Sequence, residues 1–193
     1  VVPVPDSGVP AALGYAQQSS MPFELGIIRN HYVGRTFIEP SQSIRQFGVK
    51  LKHNANVSYI KNNKIILIDD SIVRGTTAKK IIKMIYDAGA KEVHLGIACP
   101  PIKHPDFYGI DTPDYNELIA SKNNIEEINK AIGSKSLFFL SLEGTYQAMG
   151  YDSRNPDQPQ FTDHCFTGEY PTSLIDREKG NISKQFSLLT EKN

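Results

Sequence analysis

A continuous apolar run that leads directly into two acidic residues constrains this chain most. Residues 65–68 read Ile-Ile-Leu-Ile, which is typical of a strand buried on both faces of a parallel sheet. Asp69 and Asp70 follow at once, and after a short polar loop the residues 77–88 form an amphipathic pattern that predicts a helix. Because ligands of open α/β sheets bind beyond the carboxyl ends of the strands, this junction is where a site is expected.

The remainder of the chain alternates between strand and helix patterns, which predicts an α/β fold with a mostly parallel sheet. Residues 57–60 and 64–68 flank Lys61-Asn62-Asn63, and we interpret them as a hairpin. The other strand candidates are 1–4, 23–28, 93–98 and 137–140. The other helix candidates are 11–18, 125–132 and 142–149. We predict one domain over 1–150 and an irregular tail with one helix over 151–193.

Composition excludes several classes of partner. The chain has 193 residues, and its 21 basic and 21 acidic side chains give no net charge, so no global field favours nucleic acid or an anionic membrane. No apolar stretch approaches the ~18–20 residues of a membrane span. Cys99 and Cys165 form no disulfide framework and are expected to be free thiols in a reducing, cytoplasmic setting.

The junction after residue 68 combines two kinds of chemistry. Loop amides and the start of a helix make an anion site, to which Ser71, Thr76 and Thr77 add hydroxyl donors. Adjacent carboxylates would repel a phosphate, but they can accept hydrogen bonds from sugar hydroxyls or help to hold a hard cation. The combination indicates a sugar phosphate. In the alternative interpretation, Thr76 simply caps the helix and the aspartates are solvated.

The thirteen residues 65–77 closely resemble the phosphoribosylpyrophosphate signature of type I phosphoribosyltransferases. The resemblance implies the fold of that class, with helices on both faces of the sheet and a flexible lid loop. It also implies that Asp69 and Asp70 bind the ribose hydroxyls and act in catalysis. The 5′-phosphate would be bound by Ser71, Ile72, Val73, Arg74, Gly75, Thr76 and Thr77.

Two further segments show which members of this class the chain resembles. Residues 4–8, Val-Pro-Asp-Ser-Gly, are an ordinary turn by themselves, but they look like the pyrophosphate loop of the class. The resemblance then implies that Asp6, Ser7 and Gly8 bind substrate. It further implies that Mg²⁺ lies near Ser7 and the two aspartates.

The second segment, 29–38, resembles the flexible loop of the amidophosphoribosyltransferase family, and the string at 108–113 is also similar to that family. Arg29 would bind substrate, and Tyr32 and Arg35 would be catalytic contacts of a lid over about 29–53. Between residues 29 and 52 there are five Lys or Arg residues and one acid, Glu39, an excess that suits a polyanionic substrate.

The resemblance to this family implies an activity. Ammonia would displace pyrophosphate from phosphoribosylpyrophosphate in the presence of Mg²⁺ and give 5-phosphoribosylamine, the first step of purine biosynthesis. Family members carry an N-terminal glutaminase domain that supplies ammonia, and they form homo-oligomers. The chain has no initiator methionine and no such domain, so we expect residues before Val1 in the parent protein and no glutaminase activity here.

Some relatives bind a structural iron–sulfur cluster through four cysteines. At two of the corresponding places this chain has Asp106 and Thr162, and at a third it has Cys165, so we predict no cluster. Two other interpretations stay open. One is a salvage phosphoribosyltransferase that uses a nucleobase, and the other is a module that binds the substrate without chemistry. A dinucleotide-binding domain is disfavoured because no Gly-x-Gly-x-x-Gly follows a strand.

Overall fold

The computed structural model describes residues 1–30, 53–110, 112 and 114–174. In this part of the chain the strands are β1 Val2–Pro3, β2 Ile27–Arg29, β3 His53–Ala55, β4 Lys64–Asp69, β5 Glu92–Ile97 and β6 Ser136–Phe139. The helices are α1 Val9–Ser19, α2 Val57–Ile60, α3 Thr76–Asp87, α4 Ile119–Lys122, α5 Ile125–Ile132, α6 Leu142–Ala148 and α7 His164–Thr167.

The main sheet has four strands in the order β1-β4-β5-β6, and every neighbouring pair is parallel. Strand β4 is central and almost fully buried, as its apolar run predicted. Its register places Leu67 beside Val2 of β1 and beside Leu95 of β5. A separate antiparallel pair joins β2 to β3. All carboxyl ends of the main sheet therefore lie along one edge.

Helices cover both faces of the main sheet, as predicted. On one face Leu67 and Leu95 pack in the core with Ile81 and Ile85 of α3 and Ile128 of α5. On the other face Ile68, Gly96 and Phe138 lie side by side. The ring of Tyr15 in α1 stacks on that of Phe138 at a centroid distance of 6.0 Å. A two-sided sheet of this kind accounts for the continuous apolar strand.

The predicted hairpin at 57–68 is wrong. Residues 57–60 form the short helix α2, and the side chain of Asn56 caps it by accepting a bond from the amide of Ser58. Ile60 is fully buried, whereas Val57 is exposed. The amide of Lys61 donates to the carbonyl of Val57 at 2.9 Å, and this i→i−4 spacing is that of an α-helix. Both neighbours of β4 in the sheet, β1 and β5, run parallel to it. A strand joined to β4 by a tight turn would have to be antiparallel.

The segment after α6 is held against the preceding fold by a buried network. Tyr146 of α6 donates its hydroxyl to Asp163 at 2.7 Å, and Arg154 donates through Nε to the same carboxylate oxygen at 2.6 Å. Arg154 also pairs with Glu169. Residues 151–174 are irregular apart from α7. The single helix predicted within 151–193 stays a prediction, since residues 175–193 lie outside the described part of the chain. The domain boundary at 150 stays a prediction.

None of the helices in the described ranges has the length and apolar character required to cross a bilayer.

Candidate active site

The ends of β1 and β4 are joined by a direct backbone bond. The amide of Val4 donates to the carbonyl oxygen of Ile68 at 2.8 Å, and the amide of Gly8 donates back to Val4 at 3.0 Å. A Cβ at Gly8 would lie 2.5 Å from the Ile68 oxygen, closer than real Cβ atoms approach. Glycine is therefore required here. The turn brings residues 5–8 to the same edge as Asp69 and Asp70.

The two adjacent carboxylates occupy different environments. Asp69 is 8% exposed, and its Oδ1 accepts a bond from the amide of Asp70 at 2.9 Å. Burial, followed by the charge of Asp70, raises the pKa of Asp69 to about 7. Asp70 is exposed, and its Oδ1 accepts a bond from the hydroxyl of Ser71 at 2.9 Å. The pair can therefore present one protonatable and one open carboxylate to a ligand.

Cys99 lies beside this pair, just beyond β5. Burial, followed by the charges of Asp70 and Asp69, raises the pKa of its thiol to about 12. The sulfur is therefore a neutral, partly buried neighbour of the carboxylates. The sequence signal that could have placed it there is its position two residues after a buried strand, at the edge where the parallel strands end.

The loop after Asp70 leads into α3 without a side-chain cap. Gly75 is the N-cap residue with a φ of 75°, and Thr76 is the first helical residue. The interpretation of Thr76 as the cap is thus wrong. Since the first amides of a helix have no intrahelical partner, this end is suited to an anion. Ile72 is 3% exposed and packs in the core, so only its backbone can face a ligand.

A neighbouring segment supports this loop from one side. Glu117 accepts a bond from Arg74 Nη2 at 2.8 Å, and the amide of Ile119 donates to the carbonyl of Val73 at 2.9 Å. A Cβ on Gly75 would lie 2.8 Å from Cδ1 of Ile119, so the side chain of Ile119 packs closely against the backbone of Gly75. The sequence analysis did not identify this support, because its two halves lie more than forty residues apart in the chain.

The Arg29 guanidinium forms an ion pair with Asp6 through Nη1. Its Nε is buried and has no hydrogen-bond partner among the described residues. Arg29, which we predicted to bind substrate, is thus paired with a residue of the predicted pyrophosphate loop. Tyr32 and Arg35, together with most of the predicted lid, lie outside the described residues.

The donors at this edge fit a magnesium ion. Asp69 and Asp70 offer carboxylate oxygens and Ser7 lies in the turn beside them, and Mg²⁺ prefers oxygen ligands. One or two carboxylates from the protein suffice when the substrate contributes phosphate oxygens. Within the described residues, no third acidic, histidine or cysteine ligand joins the two aspartates.

Solved structures share this architecture. A glutamine phosphoribosylpyrophosphate amidotransferase from B. subtilis, complexed with ADP and GMP, matches with a TM-score of 0.77 and 50% identity. The match covers 89% of this chain and 38% of that one. A structure described as the allosteric regulatory enzyme of purine biosynthesis matches with a TM-score of 0.76 and 49% identity, over 89% of this chain and 37% of that one. The chain has the type I phosphoribosyltransferase fold.

Curated sequences narrow the assignment, although no family model matches the chain. Amidophosphoribosyltransferase of Rhizobium etli is 60% identical over 190 residues, which are 98% of this chain and 38% of that protein. The Bacillus subtilis enzyme of the same name is 50% identical over 176 residues, which are 90% of this chain and 36% of that protein. The chain belongs to the amidophosphoribosyltransferase family and spans little more than a third of these relatives' length.

Proposed function

We propose that this chain carries the site at which ammonia replaces pyrophosphate on phosphoribosylpyrophosphate, giving 5-phosphoribosylamine. The observation that carries the proposal is the end of β4. There a buried carboxylate, an exposed carboxylate and an uncapped helix start follow one another within eight residues. The 60% identity to a named amidophosphoribosyltransferase favours ammonia over a nucleobase as the acceptor.

The carboxylates and the loop of the junction bind different parts of the substrate. Ribose hydroxyls donate to the carboxylates of Asp69 and Asp70, which are acceptors when ionised. The 5′-phosphate accepts from the amides of the loop 71–77 and the first turn of α3. The pyrophosphate lies over residues 6–8, a turn that Gly8 permits by packing its backbone against the carbonyl oxygen of Ile68.

Magnesium, when bound through the oxygens of Asp69, Asp70 and Ser7, would supply charge neutralisation for the leaving pyrophosphate. The chain's own contribution is to orient the ribose and to hold its phosphate in place. With its pKa at about 7, Asp69 is partly protonated near neutral pH. Its ionised form has both oxygens free to accept, one from a ribose hydroxyl and one from the Asp70 amide.

The reaction exchanges one bond at the anomeric carbon for another. The bond to the pyrophosphate oxygen breaks with its electron pair on that oxygen, and neutral ammonia forms the new C–N bond from the opposite face. The ammonium product then loses one proton to solvent. No strong general base is required, and what matters is exclusion of water. Arg29, Tyr32 and Arg35 are the residues that we assign to closure over the substrate.

The relatives also support a setting for the reaction. We propose that the parent protein obtains ammonia from glutamine in a further domain, acts in purine biosynthesis, is cytoplasmic and forms homo-oligomers. Among the nine-tenths of this chain that align with the Bacillus subtilis enzyme, half of the residues are identical. We infer no nucleic-acid or membrane partner, in line with the zero net charge.

A competition between nucleophiles tests the proposal. The chain is given phosphoribosylpyrophosphate and Mg²⁺ with ¹⁵N-ammonia, adenine, guanine or uracil, and products are identified by NMR. We expect a ¹⁵N-labelled phosphoribosylamine and no nucleotide. A nucleotide product would instead establish a salvage enzyme. Substrate binding without any product at saturating ammonia would establish a binding module.

A further inference from the structure

Three side chains with metal-ligand chemistry converge away from the site at the end of β4. They are Asp106, on the segment after β5, and His164 and Cys165 at the start of α7. One ligand atom of each lies within 4.8 Å of the others, which is unique among His, Cys, Asp and Glu side chains of the described ranges. Asp106 and His164 are 58 positions apart in the chain, so it is the tertiary fold that brings Asp106 to the start of α7.

His164 is held in one orientation and has one nitrogen to spare. Its Nε2 lies 2.8 Å from Oδ2 of Asp106, and the ring packs against Tyr170 at a centroid distance of 4.9 Å. Since the carboxylate accepts, Nε2 carries the proton. In the neutral ring the other nitrogen, Nδ1, then has an available lone pair. The His164 side chain is only 3% exposed, and its Nδ1 is buried without a hydrogen-bond partner in the described part of the chain.

Asp106 is itself fixed, which makes this arrangement rigid. Its Oδ1 accepts from the amides of Tyr108 at 2.8 Å and Ile110 at 2.9 Å, leaving Oδ2 for His164. A carboxylate that holds one nitrogen of a buried histidine while the other is free is the support commonly found behind metal-bound histidines. The unsatisfied Nδ1 therefore points to a ligand that takes a lone pair.

The same residues border an open space. Asp106, His164 and Cys165 line a cavity of about 470 Å³, together with Thr162 and the ring of Tyr108. This volume admits an ion with several waters. The thiol of Cys165 is partly exposed and supplies a sulfur ligand once it loses its proton. An iron–sulfur cluster does not fit this donor set, since it needs four thiolates and one is present here.

We propose that His164, through Nδ1, and Cys165, through Sγ, bind a single divalent cation of the zinc type, with Asp106 holding the imidazole from behind. Water from the cavity completes the coordination. Nitrogen and sulfur donors select zinc-like ions over Mg²⁺, so this site is chemically distinct from the carboxylate pair of the proposed active site. One proton leaves Cys165 for each ion bound. The site is independent of the reaction proposed above.

Cobalt(II) is the probe that reports the sulfur ligand. The chain is freed of metal and titrated with Co²⁺ alone, and the near-ultraviolet absorption of a thiolate–cobalt bond is recorded, followed by displacement with Zn²⁺. We expect one equivalent bound in the wild type and in Cys99→Ser, and no such absorption in Cys165→Ser. Asp106→Asn should bind about 10–100-fold more weakly, as for the loss of a group that orients a ligand.

A second measurement needs no variant and so does not depend on a mutant folding. Wild-type chain is alkylated with iodoacetamide with and without Zn²⁺, and the two cysteines are followed separately by peptide mass spectrometry. Protection of Cys165 alone by stoichiometric Zn²⁺ is expected. The proposal is overturned if Zn²⁺ leaves the alkylation of Cys165 unchanged. It is also overturned if the cobalt–thiolate absorption persists in Cys165→Ser or disappears in Cys99→Ser.

Discussion

The amide of Asp70 donates a 2.9 Å hydrogen bond to the carboxylate of Asp69, its own neighbour, and this bond separates the roles of the two acids. Asp69 is directed inward at the end of β4, whereas Asp70 is exposed. Burial leaves Asp69 with a pKa of about 7. Asp69 is thus about half protonated at neutral pH, and several measurable consequences follow from the geometry around the pair.

Asp69→Asn should change the pH dependence of stability. The pKa of Asp69 is 3.8 when unfolded and about 7 when folded, so the folded state binds the extra proton between these values. Stability therefore falls as pH rises through this window and is lowest above pH 7. The asparagine variant lacks this loss, so its stability relative to wild type should increase from pH 4 to pH 8 by up to about 4 kcal/mol.

Urea unfolding at several pH values measures this difference. The exposed Asp152→Asn serves as the matched control and should show no comparable trend. The same Asp69→Asn protein should bind phosphoribosylpyrophosphate less well, because a site built for an ionised acceptor loses its charge. If the variant is equally destabilised at pH 4 and pH 8, the assigned pKa of Asp69 is wrong.

Gly8→Ala should damage the turn that joins the two halves of the site. The new Cβ would meet the carbonyl oxygens of Ile68 at 2.5 Å and Val4 at 2.8 Å, so the turn must move. We expect a loss of about 1–3 kcal/mol in stability and at least tenfold weaker substrate binding. Gly14→Ala is the control, since nothing lies within 4 Å of its new Cβ in the middle of α1.

That control should be stabilised by roughly 0.5–1 kcal/mol, the usual gain for replacing glycine within a helix. Calorimetric substrate titration and thermal unfolding on both variants give the answer. Unchanged binding by Gly8→Ala would show that residues 5–8 do not contact the substrate.

Glu117→Gln should affect the substrate more than the fold. The Arg74–Glu117 pair has side chains about half exposed, so its loss should cost below about 1 kcal/mol in stability. It is nevertheless one of the contacts that support the loop 71–77. We expect KM for phosphoribosylpyrophosphate to rise severalfold while kcat changes little. Glu126→Gln, on the exposed start of α5, is the control that should leave both constants unchanged.

Tyr146→Phe tests the network that anchors residues 151–174. The tyrosine is 1% exposed, and its hydroxyl donates to Asp163, which Arg154 also binds. Removing the hydroxyl leaves the packing intact and should cost about 1–1.5 kcal/mol. Tyr151→Phe, on an exposed ring, should cost much less. Equal effects on the thermal midpoint would argue against the network as the anchor.

The parts of this fold that the sequence predicted are those encoded locally. The apolar run of β4 and the periodicity of α3 each carry their own signal, and both elements form where expected. Residues 57–60 misled because four residues with three apolar or aromatic side chains fit a strand as well as a turn of helix. What distinguishes the two is the backbone bond from the amide of Lys61 to the carbonyl of Val57, which has helical spacing and leaves no mark in the pattern of side chains.

The sequence indicated the residue types of the candidate site, but it did not indicate the contacts from distant segments that hold those residues in place. Asp69, Asp70 and Gly75 form a contiguous motif, so their types and spacing could be read directly. The bond between Val4 and Ile68, the thiol of Cys99 and the Arg74–Glu117 pair depend on which strand ends become neighbours. Which strand ends become neighbours is decided by tertiary packing, and local periodicity carries no information about it.

The most direct test of the account is pyrophosphate release from phosphoribosylpyrophosphate and Mg²⁺, with and without ammonium chloride at alkaline pH, in the wild-type chain and in Asp70→Asn. The variant removes an exposed charge at the end of β4 and should fold normally. The account predicts ammonia-dependent release by the wild type and a loss of at least tenfold in the variant. Release that is indifferent to ammonia, or equal in the two proteins, would contradict it.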